Sequence, residues 1–142
     1  MIEPGRSGYF KQTHSLSERI KLSEDSRKQF PDKIPCICEA SDNPELTPER
    51  EIKMIVPDDT LINWFTGTLM LRVNNSIGKD SFVDVHGFPI VYRRSTSELF
   101  LFVNGDVPLR GGRTLKDVYS SYFDPEDKLL YITYDAKFNY FG

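Results

Sequence analysis

Few residues in this chain could do chemistry, and their spacing narrows what that chemistry is. Cys36 and Cys38 are the only cysteines and stand two apart in "KIPCICEA". On a strand they share one face, where a bridge between them would be badly strained, and neither has a Cys or His at metal-ligand spacing. Both read as buried thiols, which pack like small apolar side chains. His14 and His86 are far apart, and no nucleophile–base pair with a supporting motif accompanies them. Asp58-Asp59 stands just before a helical pattern and is better explained as a cap than as a carboxylate dyad. No enzyme, metal or cofactor is therefore expected. One group is left, at the end of "LLYITYDAKFNYFG". A glycine has no Cβ to obstruct an approach to its carboxylate, and its backbone adopts conformations that other residues resist. Gly142 is either a chemical handle or a coincidence.

The elements that hold these groups follow from hydrophobic period. "SLSERIKLSEDSRKQF" reads as a helix, with Ser15 and Glu18 as a capping box and Leu16, Ile20 and Phe30 as a sparse apolar stripe. "KIPCICEA" is a strand with Ile34, Cys36 and Cys38 on one face and Pro35 and Ile37 on the other, so something must cover each face. "IKMIVP" is a second such strand, and Thr47-Pro48-Glu49 before it could start a helical turn. In "DDTLINWFTGTLMLRV", Ile62, Phe65, Leu69 and Val73 fall on one helical stripe, with Trp64 off it and without an assigned role. "SFVDV-HG-FPIVYRR" reads as a hairpin around His86-Gly87, with Pro89 placing its strand at an edge. "ELFLFVNG" is a strand, "TLKDVYSSYF" a helix, and "LLYITY" the final strand. Two strands, a long helix, and later strands with an apolar last one make the β-grasp arrangement, in which the last strand is central.

With 142 residues, the chain suits one domain with its own core. Apolar residues at 39% and charged residues at 27% mark an ordered, soluble protein rather than a disordered one. A net charge of −3 without a basic block is too mild to argue for a nucleic-acid partner, and none is expected. No run reaches the roughly 18–20 apolar residues of a membrane span, and the first 20 residues hold no signal-peptide core. The expected setting is a reducing compartment.

The blocks "RKQFPDKIPCICE", "IKMIVPDD", "LFLFVNGDVP", "TLKDVY" and "LLYITYDAKFNYFG", in that order from about Tyr9 to Gly142, resemble the ubiquitin-like autophagy modifiers of the GABARAP type. The resemblance implies an α+β, ubiquitin-like β-grasp fold: a four-stranded mixed sheet with helices, preceded by N-terminal helices. Its expected organisation is a flexible 1–9, a domain over 10–142 with a hairpin insertion at about 75–95, and a tail at 135–142. It also implies conjugation of Gly142 to phosphatidylethanolamine after passage along ubiquitin-activating-type and conjugating enzymes, with a cysteine protease for processing and deconjugation. The tail would be a leash extending from the sheet. The expected location is cytoplasmic, and the autophagosome membrane when lipidated.

Strand faces and the resemblance together place a peptide groove. Pro35, Ile37, Lys53 and Ile55 point away from the main core. Residue-by-residue resemblance adds Leu22, Ser26 and Leu129 to an aromatic pocket there. It assigns Met54, Val56, Pro57, Leu61, Phe65 and Thr68 to a second pocket with Arg72 at its rim. Cargo receptors carrying Trp/Phe/Tyr-x-x-Leu/Ile/Val motifs would add a strand beside the second strand. The chain departs from the family pattern at Leu22 (usually a carboxylate), Ser26 (an aliphatic), Glu51 (a basic residue), Thr68 (a large apolar residue) and Leu129 (an aromatic). Those changes bear on peptide preference. Two alternatives stay open: a modifier joined to a protein lysine, and a β-grasp peptide-binding module that is never conjugated.

Overall fold

The computed structural model describes residues 2–76, 79–83, 86 and 89–141. The chain runs α1 (Tyr9–Thr13), α2 (Leu16–Gln29), β1 (Lys33–Ala40), β2 (Ile52–Pro57) and α3 (Ile62–Ser76). It continues through β3 (Lys79–Val83), β4 (Pro89–Val103), β5 (Val107–Pro108), α4 (Leu115–Tyr122) and β6 (Leu130–Phe141). The strands form one sheet in the order β2-β1-β6-β4-β3, with β5 also paired to β4. β1 and β6 are parallel, Cys36 opposite Leu130, and the other pairings are antiparallel. This is the ubiquitin-like β-grasp, with the last strand central as the apolar pattern required.

The sheet is larger than the four strands expected. Its hairpin forms with Lys79 opposite Arg93 and Val83 opposite Pro89, although residues 84–85 and 87–88 of its turn lie outside the described ones. The second strand of that hairpin does not stop before "ELFLFVNG"; β4 runs on to Val103. No Gly or Pro interrupts the chain between Ile90 and Val103, and a bulge between Thr96 and Glu98 absorbs the irregularity. Pro89 is the first residue of β4, where its missing N–H is tolerated. The tail differs from expectation for the same reason. Instead of a leash, residues 135–141 continue β6, with Phe138 opposite Thr96 and Phe141 opposite Arg93. The lengthened β4 supplies the partner edge. Gly142 lies outside the described residues.

Residues 5–7 are also tied, where a flexible start was expected. The Ala40 N–H donates to the Gly5 carbonyl at 2.7 Å, the Ser7 N–H to the Ala40 carbonyl at 2.9 Å, and the Arg6 guanidinium to the Ser41 carbonyl at 2.7 Å. Gly5 sits at φ +84°, and a Cβ there would lie 2.1 Å from the Glu49 carbonyl oxygen. Only glycine fits that approach. Thr47-Pro48-Glu49 forms no helical turn.

Both faces of β1 are covered. Ile34, Cys36 and Cys38 join Ile62, Phe65, Leu69 and Val73 of α3 and the inner residues of β4, α4 and β6 in the main core. Burial pushes both thiols upward, Cys38 to about 12, so they stay protonated and inert. On the other face Ile37 packs with Phe10 and Leu129, joined by Leu22 and Tyr131. Each large apolar side chain so buried contributes about 1.5–3 kcal/mol.

The helix α2 that closes this second face is polar. Leu16 is 39% exposed, and the buried residues are Ser23 and Ser26, so the expected apolar stripe is not the packing face. Its ends do more. The Ser15 hydroxyl accepts from the Glu18 N–H at 3.1 Å, and the Glu18 carboxylate accepts from the Ser15 N–H at 3.2 Å. Ser15→Ala is expected to cost about 1 kcal/mol, read as a lower urea midpoint; an unchanged midpoint would show that the box contributes nothing. Along its length, α2 is held by Arg19, whose guanidinium donates to Asp127 at 2.7 Å.

Candidate functional site

β2 is the outermost strand, paired along one side to β1 with Lys53 opposite Ile37 and Ile55 opposite Pro35. Its period of two sends Ile52 inward, while Lys53, Ile55 and Pro57 are exposed and Met54 and Val56 half-buried. α3 lies alongside because its stripe needs the sheet. Between the two runs an open groove of about 590 Å³, lined by Met54, Ile55, Val56, Pro57, Leu61, Phe65 and Thr68. Those seven expected residues come together. Phe65, 1% exposed, is floor and core at once; Leu61 at 38% forms a wall. The Thr68 hydroxyl donates to the Trp64 carbonyl at 3.1 Å, so the only apolar group this residue can offer the groove is a methyl.

Trp64 also lines this groove, 72% exposed, and had no assigned role. The signal was present: Leu61, Trp64, Phe65 and Thr68 stand at i, i+3, i+4 and i+7. The core stripe through Ile62 and Leu69 drew attention away from this second, outward one. Asp59 and Thr60 complete the lining.

Arg72 stands beyond the groove wall. Its guanidinium donates to the Glu49 carboxylate at 3.1 Å and to the Lys53 carbonyl at 3.4 Å. Lys53 lies 3.8 Å from Glu51, which also faces His14 at 3.5 Å. Lys53 and Arg72, the two cations of the expected groove, are thus already paired with carboxylates at the surface, where such pairs are weak.

The aromatic pocket is assembled but closed. Ile37 is 1%, Leu129 0% and Ser26 4% exposed, and the Phe10 ring packs with Ile37 and Leu129. Leu22 and Pro35 are half-buried. Neither the Ser23 nor the Ser26 hydroxyl has a hydrogen-bond partner among the described residues. A side chain entering here must displace packing, whereas one entering beside Phe65 meets open space.

No protein-family model matches the chain. Curated relatives do. Autophagy-related protein 8 of Mycosarcoma maydis is 27% identical over 133 residues, covering 94% of this chain and 95% of the relative. Autophagy-related protein 8D of Oryza sativa subsp. japonica is 29% identical over 128 residues, covering 90% and 92%. Over nearly its whole length the chain is similar to the Atg8/GABARAP-type ubiquitin-like family. Solved Atg8 structures share its fold. Trypanosoma brucei ATG8 superposes with a TM-score of 0.71 at 23% identity, covering 93% of this chain and 97% of that one. Plasmodium falciparum Atg8, solved in complex with a Plasmodium falciparum Atg3 peptide, gives 0.69 at 22% identity, covering 89% and 94%. This Atg8-like chain is thus a ubiquitin-like protein of the autophagy conjugation pathway.

Proposed function

We propose that the chain is an autophagy modifier joined through Gly142 to phosphatidylethanolamine, and that the β2–α3 groove receives Trp/Phe/Tyr-x-x-Leu/Ile/Val peptides. The open groove beside an unpaired strand edge is the observation that carries the peptide half. An extended peptide gains backbone hydrogen bonds from that edge, and alternate side chains then enter pockets on one side. The groove takes the aliphatic residue against Val56, Leu61 and Phe65. The aromatic residue goes toward Ile37 and Leu129, where Phe10 and Leu22 must yield.

Similarity to the Atg8 relatives supports the conjugation half. On this reading the protein is a substrate of activating and conjugating enzymes and of a processing cysteine protease, and no enzyme itself. Plasmodium falciparum Atg8 was solved in complex with an Atg3 peptide, and the β2–α3 groove here is suited to a peptide from a conjugating enzyme. Among the described residues no helix is long and apolar enough to cross a membrane. A phospholipid brings two acyl chains in one amide bond, which is what stable anchoring requires, and it would place the protein on the autophagosome.

The test is a fluorescence titration with a Trp-x-x-Leu peptide. Leu61→Ala and Lys53→Ala should each weaken binding about fivefold, the loss typical of an interface residue worth 1 kcal/mol. Affinity unchanged in both folded variants would remove the groove assignment.

A further inference from the structure

The end of the sheet where α2, α4 and the entry to β6 meet carries a second opening, of about 410 Å³. Arg27, Lys33, Lys116 and Lys128 surround it, against one carboxylate, Asp58. All four cations are exposed, and none lies in an ion pair among the described residues. By contrast, Arg6, Lys11, Arg19, Lys53, Arg72 and Arg113 each have a carboxylate partner, in a chain with 21 acidic against 18 basic residues.

The floor is aromatic and fixed. Tyr119 and Phe123 stack with centroids 5.3 Å apart, and the Lys128 ammonium lies 4.9 Å from the Phe123 centroid. The Arg27 guanidinium donates to the Tyr119 hydroxyl at 3.3 Å, and that hydroxyl donates to the Lys128 carbonyl at 2.8 Å. Lys128 has φ +65°, a conformation a lysine holds only when its surroundings impose it, and its N–H is bonded to the Asp124 carbonyl at 2.8 Å. The loop thus presents Lys128 from a set backbone.

We propose that this face binds an acidic peptide segment of a partner protein. Carboxylates would meet Arg27, Lys33, Lys116 and Lys128, while the peptide's methylenes rest on the Tyr119–Phe123 stack. A phospholipid surface is the less suitable occupant, an argument that rests on the conjugation reading above. β6 spans 12 residues between this loop and Phe141, about 40 Å at 3.3 Å per residue, so an anchor at Gly142 holds the basic face away from the bilayer.

The test is a nitrogen–proton correlation titration of the full chain with an acetylated hexaglutamate peptide. Saturable shifts are expected at the Lys116, Tyr119, Ser120 and Lys128 amides. Affinity should fall about tenfold in Lys116→Glu/Lys128→Glu and on raising ionic strength, and stay unchanged in Lys53→Ala. Absence of shifts at those amides overturns the proposal, as does equal loss in Lys53→Ala, which would place the peptide in the groove. Perturbation by phosphatidylserine vesicles but not by the peptide would make the face a lipid surface and overturn it too. Gly142→Ala should bind hexaglutamate like the parent, so a failure of conjugation and a failure of this site are told apart.

Discussion

Gly142→Ala is expected to lower conjugate formation by about 100-fold or more, the scale of loss when a reacting centre is displaced by an ångström. On the proposed conjugation reading, the carboxylate would enter narrow active sites, become an acyl adenylate, and be attacked by a thiol and then by an amine. A Cβ on the carbon next to the reacting carbonyl crowds each approach and removes the conformations open only to glycine. The fold should be unaffected, since the described core stops short of this residue, and circular dichroism should overlay that of the parent. Intact-mass spectrometry of chain recovered from the membranes of starved cells reads the outcome. A phospholipid adduct on the parent alone supports the proposal. An adduct to a protein lysine transfers the chain to the other conjugation chemistry. Undiminished lipidation of the variant would remove Gly142 as the handle.

Asp127→Ala is expected to destabilise the protein by about 3–5 kcal/mol, as breaking a buried ion pair on one side does. Asp127 is 0% exposed and accepts from the Arg19 guanidinium at 2.7 Å, the Tyr131 hydroxyl at 2.5 Å and the Leu129 N–H at 2.9 Å. Burial disfavours the Arg19 charge, but Asp127 and Tyr131 outweigh it and hold the guanidinium above its ordinary value. Burial first, and then the bond to Asp127, keep the Tyr131 hydroxyl protonated far above its usual range. Truncation leaves a cation, a hydroxyl and a backbone N–H without their acceptor in one stroke. Asp127→Asn keeps an acceptor and loses the charge, and should cost about 1–3 kcal/mol. Urea unfolding measures both. A loss below about 1 kcal/mol for the alanine variant would mean water replaces the carboxylate freely. Because this cluster seats α2 over Ile37 and Leu129, peptide affinity should fall with stability.

The stretches with a single strong period were readable directly. Ile62, Phe65, Leu69 and Val73 form the buried side of α3, and the Ser15–Glu18 box starts α2, because both signals are local. The order of the central strands and the two-sided burial of β1 followed from apolarity on both faces. Three things were not local. α2 buries serines because its attachment comes from a carboxylate more than a hundred positions away, beyond any periodicity. Residues 135–141 became strand because a distant insertion lengthened β4, not through their own composition. Trp64 was overlooked because α3 carries two stripes and only one is core. Of the groove, the side chains sharing the β2–α3 crevice were legible. The closure of the aromatic pocket was not, since it depends on where Phe10 of the short α1 comes to rest.

β6 holds the middle of the sheet, with parallel β1 on one side and antiparallel β4 on the other. If the molecule is tethered at Gly142 while cargo drags on β2, tension must cross from β6 through β1 to the outer strand. Pulled along the strands, the rungs between β1 and β6 from Cys36–Leu130 to Ala40–Tyr134 take the load together, in shear, instead of peeling one by one. The topology that makes a final strand central thereby makes a tethered adaptor mechanically strong along the line on which it would be pulled.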